Sequence, residues 1–518
     1  MSDFVSKSLW YVDDGTGKIV PYAPSGNSVD DDNLPDSVDS TYLRREALYV
    51  VGDDGKLRVA KKDDFGSSIL RESEQSTTAG LWWSETKEKL TLNINGKEES
   101  PLLKPMYQRK KIVFFGSSTT DGRGTTTKSN AYMSLLASAL SAKGYECYIR
   151  GVGGDNTTKA IERFYKDIAP LNADYCFIAF TIGNEGIYNA SDKDIVYQQF
   201  KAGLFNIIRL VKQHGMVPIV ANQMPTQNYT AEIYRYARNL NAELDAMDVH
   251  VVDWMGAVVD ETTYMPIPAA SFDHLHLNDT GHSALYQSIP PSLFEKVGFQ
   301  SGKMINTPEK GSIHIESNTN ADYVFRYSPE YPLASFSAFV RFKAPSVIDI
   351  PITLIGAYGD GGYIRIQLTN TGVVAINPGT EVKTTAIISD TNWHTLGIRY
   401  NVISKKIKLY LDNEVISDET VSASLTSVDN FYLAGRPSST NLISGYEFKD
   451  FAVYRTAQIA ENFRLMIDGT FPQTSLELLA PLNDKVLDEG SRLMNLAPTT
   501  RNLTVKKSAT ISLTEGSI

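Results

Sequence analysis

The stretch KIVFFGSSTTDG, residues 111–122, decides the fold of the central part of this chain. Its first half is a nearly continuous apolar run, which is typical of a strand that is covered on both faces of a parallel sheet. Its second half is a turn rich in Gly, Ser and Thr. The same succession of apolar run, turn and helical segment continues to about residue 298, and it predicts a doubly wound α/β domain over residues 106–300.

Four further apolar runs complete the predicted sheet. The segments between them, such as AYMSLLASALSAKG, carry apolar residues at helical spacing and end in Gly. Cys147 and Cys176 lie inside two of the runs, where we expect them as buried free thiols. Ligands of such sheets bind at the carboxyl ends of the strands, so the turns there are the places to search for chemistry. The four runs are YECYIRGV, DYCFIAFTIG, MVPIVAN and VHVVDW.

Three of these turns carry groups that acyl transfer requires. Ser118 lies on the turn after the first run, where a hydroxyl points into the cleft and its own N–H can face a developing oxyanion. Gly154 follows the second run and lets a backbone amide approach a ligand closely. Asn184 follows the third run and brings an amide side chain to the same edge of the sheet. Each turn by itself is also explained by ordinary turn and cap chemistry.

The segment SFDHLHLN, residues 271–278, contains a candidate acid–base pair. Asp273 precedes His276 by three residues, so its carboxylate can bind one imidazole nitrogen and leave the other free as a general base. His274 is a rival base, but the residue three positions before it is a serine. A metal site made of His274, His276 and His282 is the competing interpretation. Neither a cysteine cluster nor a helical two-histidine spacing supports it, and we predict no metal and no organic cofactor.

Taken in order, these four segments resemble the signature of the SGNH (GDSL-like) hydrolase family, which consists of a Ser block, a Gly block, a Gly-x-Asn block and an Asp-x-x-His block. The resemblance implies an α/β serine esterase with Ser118 as nucleophile and with Asp273 and His276 as its supporting pair. It also implies an oxyanion hole formed by the amides of Ser118 and Gly154 and by the side chain of Asn184.

Two positions depart from the family pattern. The usual Gly-Asp-Ser is replaced here by Gly-Ser-Ser, with Ser117 in the middle, and the Asp that usually follows Asn184 is Glu185. The first departure makes Ser117 an alternative nucleophile, although the alignment of the Gly and of the following Thr favours Ser118. Neither departure removes a group from the proposed path of the proton.

The region before the hydrolase domain, residues 1–105, is predicted to be a β-rich attachment or spacer region. The pairs Asp14-Gly15, Asp54-Gly55 and Asn95-Gly96 separate short β-like runs, and such pairs favour tight hairpin turns because both central residues need positive φ. The polar stretch SGNSVDDDNLPDSVDS, residues 25–40, is predicted to be a flexible linker.

The region after the hydrolase domain has the pattern of an all-β jelly-roll sandwich over residues 308–470, with many short strands broken by Gly, Asn, Asp and Pro. The segments SDTNWHTL, KLYLDN and YEFKDF resemble the laminin-G-like, concanavalin-A-like jelly roll. The resemblance implies the fold more than an activity, and we expect Trp393 to pack inside the sandwich. Residues 471–518 are weakly patterned and either add edge strands or form a separate tail.

Charge and composition restrict the partners of the chain. Asp and Glu number 60 and Lys and Arg 50, which gives a net charge of −10 without basic blocks, so we expect no nucleic-acid partner. No apolar run reaches the length of a membrane-spanning helix. The first residues lack the pattern of a secretory signal, which suits a cytoplasmic protein, a protein released without a signal or, given the architecture, a bacteriophage tail or fibre protein on the virion surface.

An esterase beside a lectin-like module indicates removal of O-acetyl groups from a polysaccharide, with acetylated glycan as substrate. A lipase or thioesterase of the same fold, or a glycan-binding virion adhesin with an inactive hydrolase domain, are the alternatives. Other virion proteins and further copies of the chain are additional candidate partners. Because all proposed groups lie in one α/β unit, we expect residues 105–300 to fold alone.

Overall fold

The structure, a computed structural model, describes most of the chain after residue 110 and seven short strands before it. No helix among the residues that it describes is long and apolar enough to cross a membrane. The described residues beyond 110 are 111–291, 293–296, 304–308, 310–318, 323–377, 382–421, 425–437, 443–483, 492–493, 495–499, 501–506 and 509–517.

Residues 1–110 form a unit of their own. Its described strands are β1 (Leu9–Val12), β2 (Ile19–Pro21), β3 (Tyr49–Val51), β4 (Leu57–Val59), β5 (Gly80–Ser84), β6 (Lys89–Ile94) and β7 (Lys97–Glu99). They pair antiparallel in the orders β2-β1-β3-β4 and β5-β6-β7, so paired strands flank each of the three predicted hairpin turns. The turn dipeptides and the predicted linker at 25–40 lie outside the described residues.

A sheet of five parallel strands lies at the centre of the α/β part of the second unit, residues 111–518. Each predicted apolar run is one of these strands, and their order is β12-β11-β10-β8-β9. The strand order reverses between β8 and β10, which is where ligands bind in doubly wound sheets. The strands are β8 (Lys111–Gly116), β9 (Glu146–Gly151), β10 (Tyr175–Ala179), β11 (Val217–Ala221) and β12 (His250–Val252).

Helices cover both faces of this sheet, because alternate side chains of a strand point to opposite faces. Ile112 and Phe114 of β8 belong to the core shared with α1, α5 and α6, whereas Val113 and Phe115 belong to the core shared with α2, α3 and α4. The doubly wound α/β prediction is therefore confirmed. The helices are α1 (Tyr132–Ser141), α2 (Thr157–Asp167), α3 (Lys193–Gln213), α4 (Ala231–Asp245), α5 (Trp254–Val258), α6 (Asp279–Gln287) and α7 (Leu293–Lys296).

Strand β9 is less buried than its apolar run predicts. It stands at the end of the strand order, and its residues are half-buried or exposed. Cys147 on β9 is accordingly half-buried, whereas Cys176 on β10 is buried, and both are free thiols. The prediction of two buried thiols is thus wrong for Cys147, because an edge strand lacks a neighbouring strand on one side.

Two antiparallel sheets of eight strands follow the α/β part and enclose one apolar core. One sheet has the order β25-β24-β23-β18-β27-β16-β32, with β29 also on β27, and the other has the order β22-β21-β20-β19-β26-β17-β31-β30. The prediction that the region after the hydrolase domain is all-β is confirmed at the level of antiparallel sheets. Its strands before residue 470 are β16 (Lys310–Asn318), β17 (Phe325–Tyr327), β18 (Phe336–Lys343), β19 (Ile352–Gly359), β20 (Gly362–Leu368), β21 (Val373–Asn377), β22 (Val382–Ile387), β23 (Trp393–Asn401), β24 (Lys406–Leu411), β25 (Glu414–Thr420), β26 (Asn430–Leu433) and β27 (Glu447–Tyr454).

The segment after residue 470 contributes strands to both sheets. Strand β32 (Ala509–Ser517) pairs with β16, and β31 (Leu503–Val505) pairs with β17 and β30 (Arg492–Leu493). The sequence left open whether residues 471–518 add strands or form a separate tail. The described part of this segment adds strands to the two sheets. The remaining short elements are β13 (Val259–Asp260), β14 (Met265–Pro266), β15 (Ile305–Asn306), α8 (Ala460–Ile467), β28 (Thr470–Phe471) and β29 (Leu476–Ala480).

The α/β part and the sandwich are joined by buried polar contacts. Ser475 donates its N–H to the carbonyl of Val251 at 3.3 Å, and its hydroxyl accepts the N–H of Asp253 at 2.8 Å. The Asp253 carboxylate, in a residue 4% exposed, accepts Thr456 Oγ1 at 2.6 Å and Gln458 Nε2 at 3.1 Å. Isolating residues 105–300 would leave this buried carboxylate without two of its donors, a cost that the predicted independent folding of the segment would have to offset.

Candidate active site

The turn after β8 presents Ser118 at the sheet edge while it buries its neighbour. Ser117 is 2% exposed, whereas Ser118 is partly exposed. The Ser117 carbonyl accepts the N–H of Asp121, and the Ser118 carbonyl accepts the N–H of Arg123, so the chain turns sharply after the strand. A Cβ at Gly116 would stand 2.1 Å from Thr120 Oγ1, so only glycine fits at the start of this turn.

His276 joins Ser118 to Asp273 through its two ring nitrogens. His276 Nε2 lies 3.0 Å from Ser118 Oγ, and His276 Nδ1 lies 2.9 Å from both carboxylate oxygens of Asp273. With Nδ1 donating its hydrogen to the carboxylate, Nε2 has a lone pair directed at the serine hydroxyl. The structure therefore brings together the three residues that the sequence singles out as nucleophile, base and acid.

The loop from Ser271 to Leu277 holds Asp273 in the ionised form. Partial burial disfavours the charge, but hydrogen bonds from the His276 ring and from the backbone amides of Leu275 and His276 lower the pKa of Asp273. The loop is itself closed by a bridge between Ser271 and Leu277. An ionised Asp273 orients the imidazole and stabilises it when it gains a proton.

The other two histidines of the predicted cluster have different surroundings. His274 is exposed, and its backbone carbonyl accepts the N–H of Gln227. His282 is fully buried, with Nδ1 accepting the N–H of Tyr132 and Nε2 donating to the carbonyl of Arg123. Burial lowers the pKa of His282 and keeps it neutral. His282 thus fastens α6 to the nucleophile turn, a structural role that the sequence pattern did not indicate.

The two other candidate oxyanion donors lie on neighbouring turns. Gly154 has φ +75, and no heavy atom lies within 4 Å of where its Cβ would stand. Asn184 lies on the 3-10 turn Ile182–Glu185, and its Nδ2 donates to the carbonyl of Asp155 at 2.8 Å. The amide group carries a second N–H for another acceptor. This hydrogen bond connects the Asn184 turn to the residue that follows Gly154.

Glu185 makes a contact that sequence reasoning missed. Its Oε1 accepts the N–H of Thr157 at 2.6 Å, at the first turn of α2, where a carboxylate also interacts favourably with the helix dipole. Asn156 caps the same helix by accepting the N–H of Lys159. The contact joins residues far apart in sequence, so only the preference of helix N-termini for acids could have suggested it.

Two further side chains, those of Asp279 and Arg163, make contacts that the sequence pattern did not indicate. Asp279 accepts the N–H and the hydroxyl of Thr126 and the side chain of Asn130, which fastens the loop after the nucleophile turn to α6. These hydrogen bonds lower the pKa of Asp279. Arg163 lies on α2, where helical spacing predicts only a solvated charge, yet its side chain is 13% exposed.

Part of the chain is similar to known proteins. Residues 114–284 match the profile of the GDSL-like Lipase/Acylhydrolase family. An uncharacterized lipoprotein, YqeF, of Bacillus subtilis (strain 168) is 26% identical over 118 residues, which are 22% of this chain and 48% of that protein. The chain thus spans about half the length of that curated relative.

Two solved structures align over 38% and 35% of the chain. A GDSL-like lipase from Bacteroides thetaiotaomicron VPI-5482 is 18% identical and aligns over 38% of this chain and 92% of its own, with a TM-score of 0.30. An acetylxylan esterase from Geobacillus stearothermophilus is 19% identical and aligns over 35% of this chain and 91% of its own, with a TM-score of 0.29. The residues that match the GDSL-like Lipase/Acylhydrolase family are those of the parallel α/β part, so this part of the chain is similar to that family.

Proposed function

We propose that this chain is a serine esterase that removes O-acetyl groups from a polysaccharide through an acyl-enzyme. The observation that carries the proposal is the continuous hydrogen-bonded path from Ser118 Oγ through His276 to Asp273, with distances of 3.0 and 2.9 Å. A nucleophile, a base within hydrogen-bond reach and a third group that orients the base are the parts that nucleophilic acyl transfer needs.

The mechanism follows from these groups. Ser118 Oγ attacks the ester carbonyl while its proton passes to His276 Nε2, and Asp273 stabilises the resulting imidazolium. The amides of Ser118 and Gly154 and the side chain of Asn184 hold the oxyanion of the tetrahedral intermediate. His276 returns the proton to the departing sugar oxygen, and the C–O bond breaks. Water, activated by His276, then attacks the acetyl-serine and releases acetate.

The exposure of the site favours a small acyl group on a bulky alcohol. No heavy atom lies within 4 Å of the Cβ positions of Gly153 and Gly154, which leaves room for a polymer at this edge. The ring of Phe272, 58% exposed, adjoins Asp273 in the chain and offers an apolar face on which a sugar ring can pack.

The test is a substrate series on the full chain. We expect turnover of p-nitrophenyl acetate to exceed that of the octanoate ester, and acetate to be released from acetylated xylan or another acetylated glycan. Ser118→Ala should abolish both activities. A preference for long acyl esters would favour the lipase, a preference for acyl thioesters would favour the thioesterase, and glycan binding without turnover would favour the inactive adhesin.

The proposed place of action is the virion surface, as part of a bacteriophage tail or fibre. This proposal is supported by the order of a β-rich region, a hydrolase domain and a β-sandwich along the sequence. Mass spectrometry of purified virions tests it, and absence of the chain from them would contradict it.

A further inference from the structure

One arginine of α2 contacts both turns that carry the candidate catalytic groups. Arg163 Nε donates to Asp155 Oδ2 at 2.6 Å, and Nη2 donates to the carbonyl of Gly116 at 3.2 Å and to that of Arg150 at 3.0 Å. Its Cζ atom lies over the Phe115 ring, 4.7 Å from the ring centre. The guanidinium therefore touches two segments that are far apart in sequence, residues 115–116 and residues 150–155.

Each of these acceptors adjoins a group of the site. Gly116 ends β8, two residues before Ser118. Arg150 lies at the end of β9, and Asp155 directly follows Gly154. We propose that Arg163 is a positioning residue that sets the separation between the nucleophile turn and the oxyanion turn. This inference rests on the proposed esterase function.

The sheet alone does not determine that separation. Strands β8 and β9 pair as far as Gly116 and Gly151, and the N–H of Val152 still donates to the Gly116 carbonyl at 3.1 Å. Beyond Val152 the chain leaves the sheet, and Gly153 and Gly154 have no heavy neighbour within 4 Å of their Cβ positions. The turn that carries the Gly154 amide therefore needs an anchor outside the strand ladder.

Asp155 is that anchor, and Arg163 holds it. Asp155 is 5% exposed, and its carboxylate accepts from Arg163 while its backbone carbonyl accepts Asn184 Nδ2. Asp155 thus connects to the two predicted oxyanion donors that lie outside the nucleophile turn. The Gly154 amide precedes it in the chain, and the Asn184 side chain donates to its carbonyl. An arginine suits this place because its planar fork can donate to several acceptors at fixed angles.

The first experiment compares steady-state kinetics of full-length variants on p-nitrophenyl acetate. Arg163→Gln should lower kcat by about 100-fold with little change in KM, because a displacement of about 1 Å in the oxyanion donors affects the transition state more than the bound ester. Arg163→Lys should recover part of the loss, because it keeps the charge opposite Asp155. Arg209→Gln is the matched control, since Arg209 lies exposed on α3 and, among the described residues, hydrogen-bonds to side chains of its own helix.

Folded Arg163→Gln with the kcat of the wild type would overturn the inference, as would equal losses in Arg163→Gln and Arg209→Gln. Ser118→Ala tests the esterase function separately. If Ser118→Ala is inactive while Arg163→Gln is fully active, the function stands and the positioning role fails.

A second measurement needs no turnover. Hydrogen–deuterium exchange of peptides that cover residues 116–122 and 151–157 should be faster in Arg163→Gln than in the wild type and in Arg209→Gln. Exchange elsewhere in the α/β part should be unchanged. Equal exchange in all three proteins at both turns would overturn the inference even if the chain hydrolyses no ester, whereas faster exchange confined to these turns would support it.

Discussion

At the scale of single residues, neighbours in the sequence meet different surroundings. Ser117 is buried under the turn, and Ser118 lies 3.0 Å from the base. His274 is exposed, and His276 lies between the serine and Asp273. Substitution can therefore separate the role of Ser117 from that of Ser118, and the role of His274 from that of His276, because each residue has contacts that the other lacks.

We predict that His276→Ala lowers kcat by about four to six orders of magnitude, because the members of a triad act as a unit. His274→Ala and Ser117→Ala should keep most of the activity, since neither removes a group from the path between Ser118 and Asp273. Single-turnover and steady-state assays on the same ester would measure this. Full activity of His276→Ala combined with loss in His274→Ala would reassign the base.

At the scale of elements, the helix α2 joins the turns of the site. Its first turn receives the carboxylate of Glu185, its Asn156 cap adjoins Asp155, and its Arg163 reaches the end of β8. The family pattern has Asp where this chain has Glu185, and here the carboxylate binds the Thr157 amide at 2.6 Å. This departure leaves the contact between the Asn184 turn and the helix intact.

We predict that Glu185→Ala lowers the free energy of unfolding by about 1 kcal/mol, the scale of losing an acceptor at a helix N-terminus. Glu185→Gln should lose less, because its amide oxygen still accepts the Thr157 N–H. Glu162→Ala is the control, since Glu162 is exposed on the same helix. Urea denaturation of the three variants measures the difference, and equal stability of Glu185→Ala and Glu162→Ala would contradict the capping role.

At the scale of the whole molecule, the sandwich is part of the support of the α/β sheet. The loop with Thr474 and Ser475 lies along β12, the edge strand opposite β9, and Thr474 Oγ1 donates to Asp245. Arg455 donates to the Gln287 carbonyl from the sandwich side at 2.9 Å. Because these groups are buried, separating the two parts would expose or leave unpaired several polar groups at once.

We expect the stability that this interface contributes to the fold to depend on pH. Burial raises the pKa of Asp245 to about 7; the Thr474 hydrogen bond opposes the shift and the charge of Asp253 adds to it. Because the ordinary value is 3.8, the folded state binds this proton more tightly than the unfolded chain does. The contribution of Asp245 to stability is therefore fully present below the ordinary pKa of 3.8, and it is lost as the pH rises through the folded-state pKa of about 7.

We predict that the Tm of the wild-type chain falls between pH 5 and 8 and that Asp245→Asn, which has no proton to lose, shows a smaller fall. Asp248→Asn is the control, because Asp248 lies exposed beyond the same helix. Differential scanning calorimetry across this range measures the effect. Parallel curves for the wild type and Asp245→Asn would mean that the carboxyl does not titrate with folding.

The sequence by itself determined the parallel α/β sheet and the residues that gather at its edge. Apolar runs of strand length reflect strands covered on both faces, and the carboxyl ends of parallel strands must lie together, so Ser118, Gly154 and Asn184 could be assigned to one edge from order alone. The spacing of Asp273 and His276 is local, and their contact at 2.9 Å needs only a tight loop.

Only the tertiary structure decided which polar residues hold these groups in place. Arg163, Glu185 and His282 contact partners distant in sequence, and nothing in the residues around them separates a buried anchor from a solvated charge. The half-burial of Cys147 depends on β9 being an edge strand, which the strand order fixes. The packing of the α/β part against the sandwich likewise depends on how their surfaces fit together. Hydrophobic periodicity shows which face of an element is buried, but it does not show which element covers that face.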